Sequence, residues 1–208
     1  MDAVRQRFRN SLLLRWVAAN MVGWTVGLIA GGYVIRLPDL PTICLPLMCL
    51  IGGFAGVCVG AAQWFILRQS LALDRRWIIL SFVGVALASL PAYFLGIFLF
   101  LTSIGASILG NIAALILGAL VGGGLGAAQS VVLEDHMRGA GRWWIAACTA
   151  GGSICGLLSL LPILPPLPMG ILLGTALYGY ITGRVLLWLL KGEDRNTDAS
   201  SLQESQEL

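Results

Sequence analysis

Residues 16–35, 45–67, 77–101, 107–133, 143–161 and 169–190 form six stretches that are almost free of charge. A bilayer hydrocarbon core about 30 Å thick is crossed by roughly 20 apolar residues in a helix. Within lipid a helix is one of the few forms that satisfies its own backbone polar groups. The pattern predicts an all-α integral membrane protein of six transmembrane helices, arranged as three tandem helical hairpins. Composition agrees: charged residues make up 11% of the chain and mean hydropathy is +0.87, whereas a soluble domain carries about 25% charged residues. Pro91 falls inside the third stretch and predicts a kink there, because proline removes one backbone hydrogen bond.

Charge gives the orientation. Arg5, Arg7, Arg9 and Arg15 precede the first stretch. Arg68, Arg75 and Arg76 separate the second from the third, Arg138 and Arg142 the fourth from the fifth, and Lys191 and Arg195 follow the sixth. The alternate connections are nearly uncharged. Basic loops stay cytoplasmic, so both termini are expected on that side of a bacterial inner membrane or a thylakoid. The first stretch is too long for a signal peptide and lacks a cleavage site, which predicts a retained anchor. Trp16, Trp64, Trp77, Trp143, Trp144 and Trp188 all fall at cytoplasmic ends of the stretches. Indole favours the headgroup layer, where its ring stays apolar and its N–H stays wet, so these six read as interfacial anchors.

The chain repeats itself. Arg15-Trp16, Arg76-Trp77 and Arg142-Trp143 each open an odd-numbered helix, and each even-numbered helix ends on a shared frame. That frame reads GVCVGAAQWFILR from Gly56, GGGLGAAQSVVLE from Gly122 and GYITGRVLLWLLK from Gly179. Repeats in one orientation imply rotation about the membrane normal. The expected fold is therefore a pseudo-threefold bundle over residues 15–191, with repeats at about 15–68, 76–134 and 142–191. A basic segment, residues 1–14, precedes it. The polar, acidic residues 192–208 have the composition of a disordered tail.

Small residues recur every fourth position: Gly52, Gly56 and Gly60; Gly118, Gly122 and Gly126; Gly179 and Gly183. Lipid tails are as apolar as leucine, so helices associate in membranes by close packing, which small ridges permit. Such ladders serve either packing within the chain or docking of another membrane protein. Gln63 and Gln129 lie on the glycine faces by helical spacing. The third repeat breaks the pattern, with Leu186 in place of glutamine and Arg184 in place of alanine. An arginine costs an estimated ~2.5–3.5 kcal/mol near the middle of a membrane helix. Arg184 either snorkels to the interface or joins Gln63 and Gln129 in a cytoplasmic-facing polar cluster, with Glu134 as countercharge. Asn20 and Asn111 read as interhelical hydrogen-bonding groups.

No catalytic constellation emerges. His136 is the only histidine, and it lies in a loop, so neither a Ser-His-Asp relay nor a histidine metal site can be assembled in the membrane. Cys44, Cys49, Cys58, Cys148 and Cys155 all lie in apolar segments at spacings that match no metal site and read as small core residues. No cofactor is implied. A net charge of +3 does not call for nucleic acid, and the basic residues cluster at helix ends, where anionic lipid headgroups would meet them at the cytoplasmic face.

The frame G-x3-G-x2-Q-W-x2-L-R, followed by Arg142-Trp143-Trp144 and a glycine-laddered helix, resembles a group of uncharacterised repeat membrane proteins found in cyanobacteria and related bacteria. The resemblance covers most of residues 15–191 and departs from the frame at Ser130 and Glu134. It implies a multi-pass bacterial membrane protein and brings no activity with it. The leading functional expectation is a non-enzymatic subunit or assembly factor that meets other membrane proteins, or further copies of itself, through its glycine-rich faces. A small channel or transporter using the polar cluster is the alternative, and a lipid-binding protein the third.

Overall fold

The computed structural model describes residues 2–35, 45–71, 73–101, 108–159 and 169–207. Six helices form among them: α1 (Asp2–Ile35), α2 (Leu45–Leu71), α3 (Arg76–Leu101), α4 (Ile108–His136), α5 (Ala140–Leu158) and α6 (Met169–Glu207). No strand occurs among the described residues. Each helix packs on the next, and α6 returns to pack on α1, so the six close into a ring.

Among the described residues four helices contain segments long and apolar enough to cross a membrane: Cys49–Arg68, Arg76–Leu95, Gly110–His136 and Met169–Gly192. In α1 and α5 several tryptophan and amide side chains turn toward other helices: Trp16, Asn20 and Trp24 in α1, Trp144 in α5, all buried. The surface differs from that of a water-soluble fold. Leu14, Val22, Ile79, Leu87, Phe94 and Val131 are exposed, while Asn20, Gln63, Ser81, Gln129, Thr175 and Thr182 are buried. In water this arrangement would expose apolar surface and bury polar groups at a cost; against lipid it is the favourable one.

Helix ends and connections follow local chemistry. Glu134, exposed at the end of α4, accepts hydrogen bonds from the backbone N–H groups of Gly139 and Gly141, the latter at 2.8 Å. It thereby satisfies two amide donors at the start of α5. Gly139 stands in the left-handed region at φ 76°, where a side chain would be strained. Between α2 and α3, the Trp64 indole donates to the Leu73 carbonyl at 2.9 Å, and the Leu73 side chain is buried. α3 runs unbroken through Pro91, which is exposed.

At the C-terminal end the helix departs from expectation. α6 continues to Glu207, through residues whose composition predicts disorder. A helix that is already nucleated adds residues without repeating the nucleation cost, and Leu202, Gln203, Glu204, Gln206 and Glu207 are good helix formers.

Candidate functional site

The densest polar chemistry among the described residues lies in the interior, at one end of the ring. Trp16 from α1, Trp77 from α3 and Trp144 from α5 are each 0% exposed. Trp144 lies between the other two, 5.9 Å from Trp16 at 69° and 5.9 Å from Trp77 at 55°, measured between ring centroids. An indole N–H can only donate, so each ring needs an acceptor once it is removed from water. Trp77 donates to Gln63 Oε1 on α2 at 3.3 Å, and Trp144 to Gln129 Oε1 on α4 at 3.1 Å. Trp16 faces α6, where the corresponding side chain is Leu186. It donates instead to Thr182 Oγ1, one turn earlier, at 3.0 Å.

Those bonds orient the glutamines. With each Oε1 committed to an indole, the amide nitrogens point across the ring. Gln129 Nε2 donates to Gln63 Oε1 at 2.7 Å and to Ser81 Oγ at 2.8 Å. Gln63 Nε2 donates to Asn20 Oδ1 at 2.8 Å. Asn20 and Ser81 stand four residues after Trp16 and Trp77, and each donates back to the carbonyl of its own tryptophan, at 2.9 Å and 2.7 Å. The Thr182 hydroxyl similarly donates to the Tyr178 carbonyl at 2.8 Å. The matching position after Trp144 is Cys148, which is fully buried. The network thus links α1, α2, α3, α4 and α5 through neutral groups. It contains no carboxylate, histidine or basic side chain, so it offers neither a proton acceptor nor a charge for a substrate ion.

The residues expected to share one polar cluster separate into two groups. Gln63 and Gln129 meet directly. Arg184 is exposed on α6, and Glu134 is exposed and engaged with backbone amides of the following turn; neither reaches the glutamines. Asn111 is exposed on α4.

The expected interfacial tryptophans divide as well. Trp143 and Trp188 are exposed at 47% and 55% and meet edge to face at 5.6 Å, which suits an interfacial position. Trp64 is half-buried, with Arg68 stacked over its ring. Trp16, Trp77 and Trp144 contradict the anchor reading: they are core residues with internal hydrogen bonds. It is Trp144, and not Trp143, that corresponds to Trp16 and Trp77. The sequence signal for this lies in Asn20 and Ser81, polar residues one turn after a tryptophan and therefore on the same helix face.

The glycine ladders are consumed inside the chain. A β-carbon at Gly52, Gly56 or Gly60 would run into Ser89 or Ser81 of α3, and one at Gly118, Gly122 or Gly126 into Gly152 or Cys148 of α5. At Gly179 it would stand 3.0 Å from Val17 Cα, and at Gly183 2.7 Å from Leu13, both in α1. These faces belong to helix–helix seams of the ring, so the expectation that they meet a partner is corrected.

One layer further into the ring, Trp24 and Tyr178 meet edge to face at 5.9 Å. Among the described residues the Trp24 Nε1 and Tyr178 Oη groups are buried without hydrogen-bond partners. Smaller residues stand at the same spacing elsewhere: Val85 and Gly152 follow Trp77 and Trp144 as Trp24 follows Trp16, and Ala55 and Val121 precede Gln63 and Gln129 as Tyr178 precedes Leu186.

Comparison with known proteins finds no matching protein family, no matching curated protein and no matching solved structure.

Proposed function

We propose that the chain is a non-enzymatic, multi-pass membrane protein that serves as a subunit or assembly scaffold of a larger membrane complex. In this reading all six helices span the bilayer as three hairpins about a pseudo-threefold axis, with both termini cytoplasmic. The recurring indole-to-preceding-helix hydrogen bond supports the symmetry, since Trp77, Trp144 and Trp16 each donate to the helix before them around the ring. The basic connections at residues 68–76 and 138–142 support the orientation.

The observation that carries the functional reading is the internal pairing of the glutamine–tryptophan network. Gln63, Gln129, Asn20 and Ser81 satisfy one another and the tryptophans at zero exposure. Such a network specifies a single helix arrangement, because each group left unpaired in a dry interior is costly. A rigid bundle with an apolar exterior is what a scaffold requires. A partner would then meet exposed aliphatic and aromatic side chains such as Leu50, Phe54, Ile79 and Leu87. A conducting path through the cytoplasmic half is disfavoured, since three tryptophans occupy it.

Gentle-detergent extraction from the native membrane, followed by native electrophoresis, tests the reading. A discrete complex with partners in fixed stoichiometry is expected. Migration as a single chain, at endogenous expression levels and in several mild detergents, would refute it. Labelling of single cysteines placed at 70 and 135 from the cytoplasmic side, and at 40 and 164 from the opposite side, checks the six spans.

A further inference from the structure

A cavity of about 550 Å³ opens where α4 turns into α5 and meets the end of α6. Its wall carries Arg138, Arg142 and Lys191, together with the exposed pair Trp143 and Trp188. Among the described residues no acidic side chain lines it. Glu134 directs its carboxylate to the Gly139 and Gly141 amides. Among the described residues none of the three cations forms an ion pair; the one ion pair there joins Arg76 to Asp74.

The position matters as much as the charge. The apolar segment of α4 ends here at His136 and that of α6 gives way to charged residues from Lys191, so a bilayer crossed by these helices would place the cavity at headgroup depth. Guanidinium and ammonium groups bind phosphate oxygens through charge-assisted hydrogen bonds. Tryptophan at this depth offers an apolar ring to the acyl-chain region and a wet N–H to the headgroup. Trp143 and Trp188 hold each other edge to face, and Arg142 stacks 5.5 Å from the Trp143 ring centroid. The wall is thereby partly ordered before any ligand arrives.

The geometry points to a site for one anionic glycerophospholipid, its phosphodiester held by Arg138, Arg142 and Lys191 and its glycerol end resting on Trp143 and Trp188. A free phosphate would use the cations and leave the aromatic wall unused. The site is independent of the scaffold reading, because it uses surface cations and touches none of the buried network.

The test uses the full chain in mild detergent, with phosphatidylglycerol and phosphatidylcholine titrated separately and bound lipid counted by native mass spectrometry. One phosphatidylglycerol is expected to bind in preference to phosphatidylcholine. The triple variant R138Q/R142Q/K191Q is expected to weaken that binding about 100-fold, from a factor of roughly five for each basic side chain near the surface. The control R68Q/R75Q/R76Q removes as many charges from the other basic connection, which does not line the cavity, and should leave binding close to wild type, because the attraction falls off within about a Debye length. Equal losses in the two triple variants would reduce the effect to general surface charge and overturn the site. Displacement of the lipid by millimolar inorganic phosphate would assign the cavity to a free anion and overturn the lipid. W143A/W188A keeps every cation, so it remains informative if the charge variant fails to fold. Unchanged lipid retention in that variant would also refute the proposal.

Discussion

Gln129→Leu isolates the contribution of the interior network. Gln129 is 0% exposed, so leucine removes the acceptor of the Trp144 indole, at 3.1 Å, and the donor shared by Gln63 and Ser81, at 2.7 and 2.8 Å. Leucine itself fits, since Leu186 holds the corresponding place in α6 and is buried. The difference is chemical. Trp16 avoids an unpaired N–H by reaching Thr182, whereas the residue in the matching position for Trp144 is Leu125, fully buried and without an acceptor. Leaving one buried donor unpaired costs about 1–3 kcal/mol. Interhelical hydrogen bonds in membrane proteins average nearer ~0.6 kcal/mol, because the denatured chain in a micelle finds other partners. The donor bonds lost to Gln63 and Ser81 add to the orphaned indole, so a destabilisation of about 2 kcal/mol is expected. Placing threonine at 125 copies the arrangement of α6 and should recover about 1 kcal/mol in the Gln129→Leu background, while gaining little alone. Reversible unfolding in mixed micelles, followed by tryptophan fluorescence, measures all four corners of this cycle. Wild-type stability in Gln129→Leu, or no coupling between the two substitutions, would refute the reasoning.

Two further outcomes are expected. Trp144→Ala should destabilise by about 3–5 kcal/mol, the usual result of truncating a large core aromatic, while its exposed neighbour Trp143→Ala should change stability by less than about 0.5 kcal/mol; similar effects in the same unfolding assay would contradict the assigned register. At Gly152 a β-carbon would stand 3.0 Å from Gly122 Cα and closer still to the Gly118 carbonyl, so Gly152→Leu should force α4 and α5 apart and abolish the monodisperse peak in gel filtration. Gly192, where a β-carbon would meet nothing within 4 Å, should accept leucine without loss.

Much of the interior is legible in the sequence. The spacing of Gln63 after Gly56 and Gly60, and of Gln129 after Gly122 and Gly126, places both amides on helix faces that pack, and both are buried there. The tryptophans are harder to read. Indole is amphipathic, so a ring at the end of a span suits the headgroup layer and an internal acceptor equally well, and only the acceptor's location separates the two. Trp143 and Trp144 carry this to its limit: neighbours on a helix point about 100° apart, one to the outside and one into the ring. Arg184 misleads in the same way, because substitution into a repeated frame marks a broken pattern without saying which way the side chain turns.

From the sequence alone follow the apolar helices, the basic connections and the small-residue seams, because each rests on local composition and a period of 3.6 residues. The order in which the seams are matched was decided by tertiary structure. A glycine ladder specifies closeness without naming its partner, and only the closure of α6 onto α1 assigns each face to a neighbour within the chain. The same closure brings Gln63 to Gln129 and Trp16 to Thr182, residues far apart in sequence. Their hydrogen bonds exist because the ring excludes the water that would otherwise satisfy them.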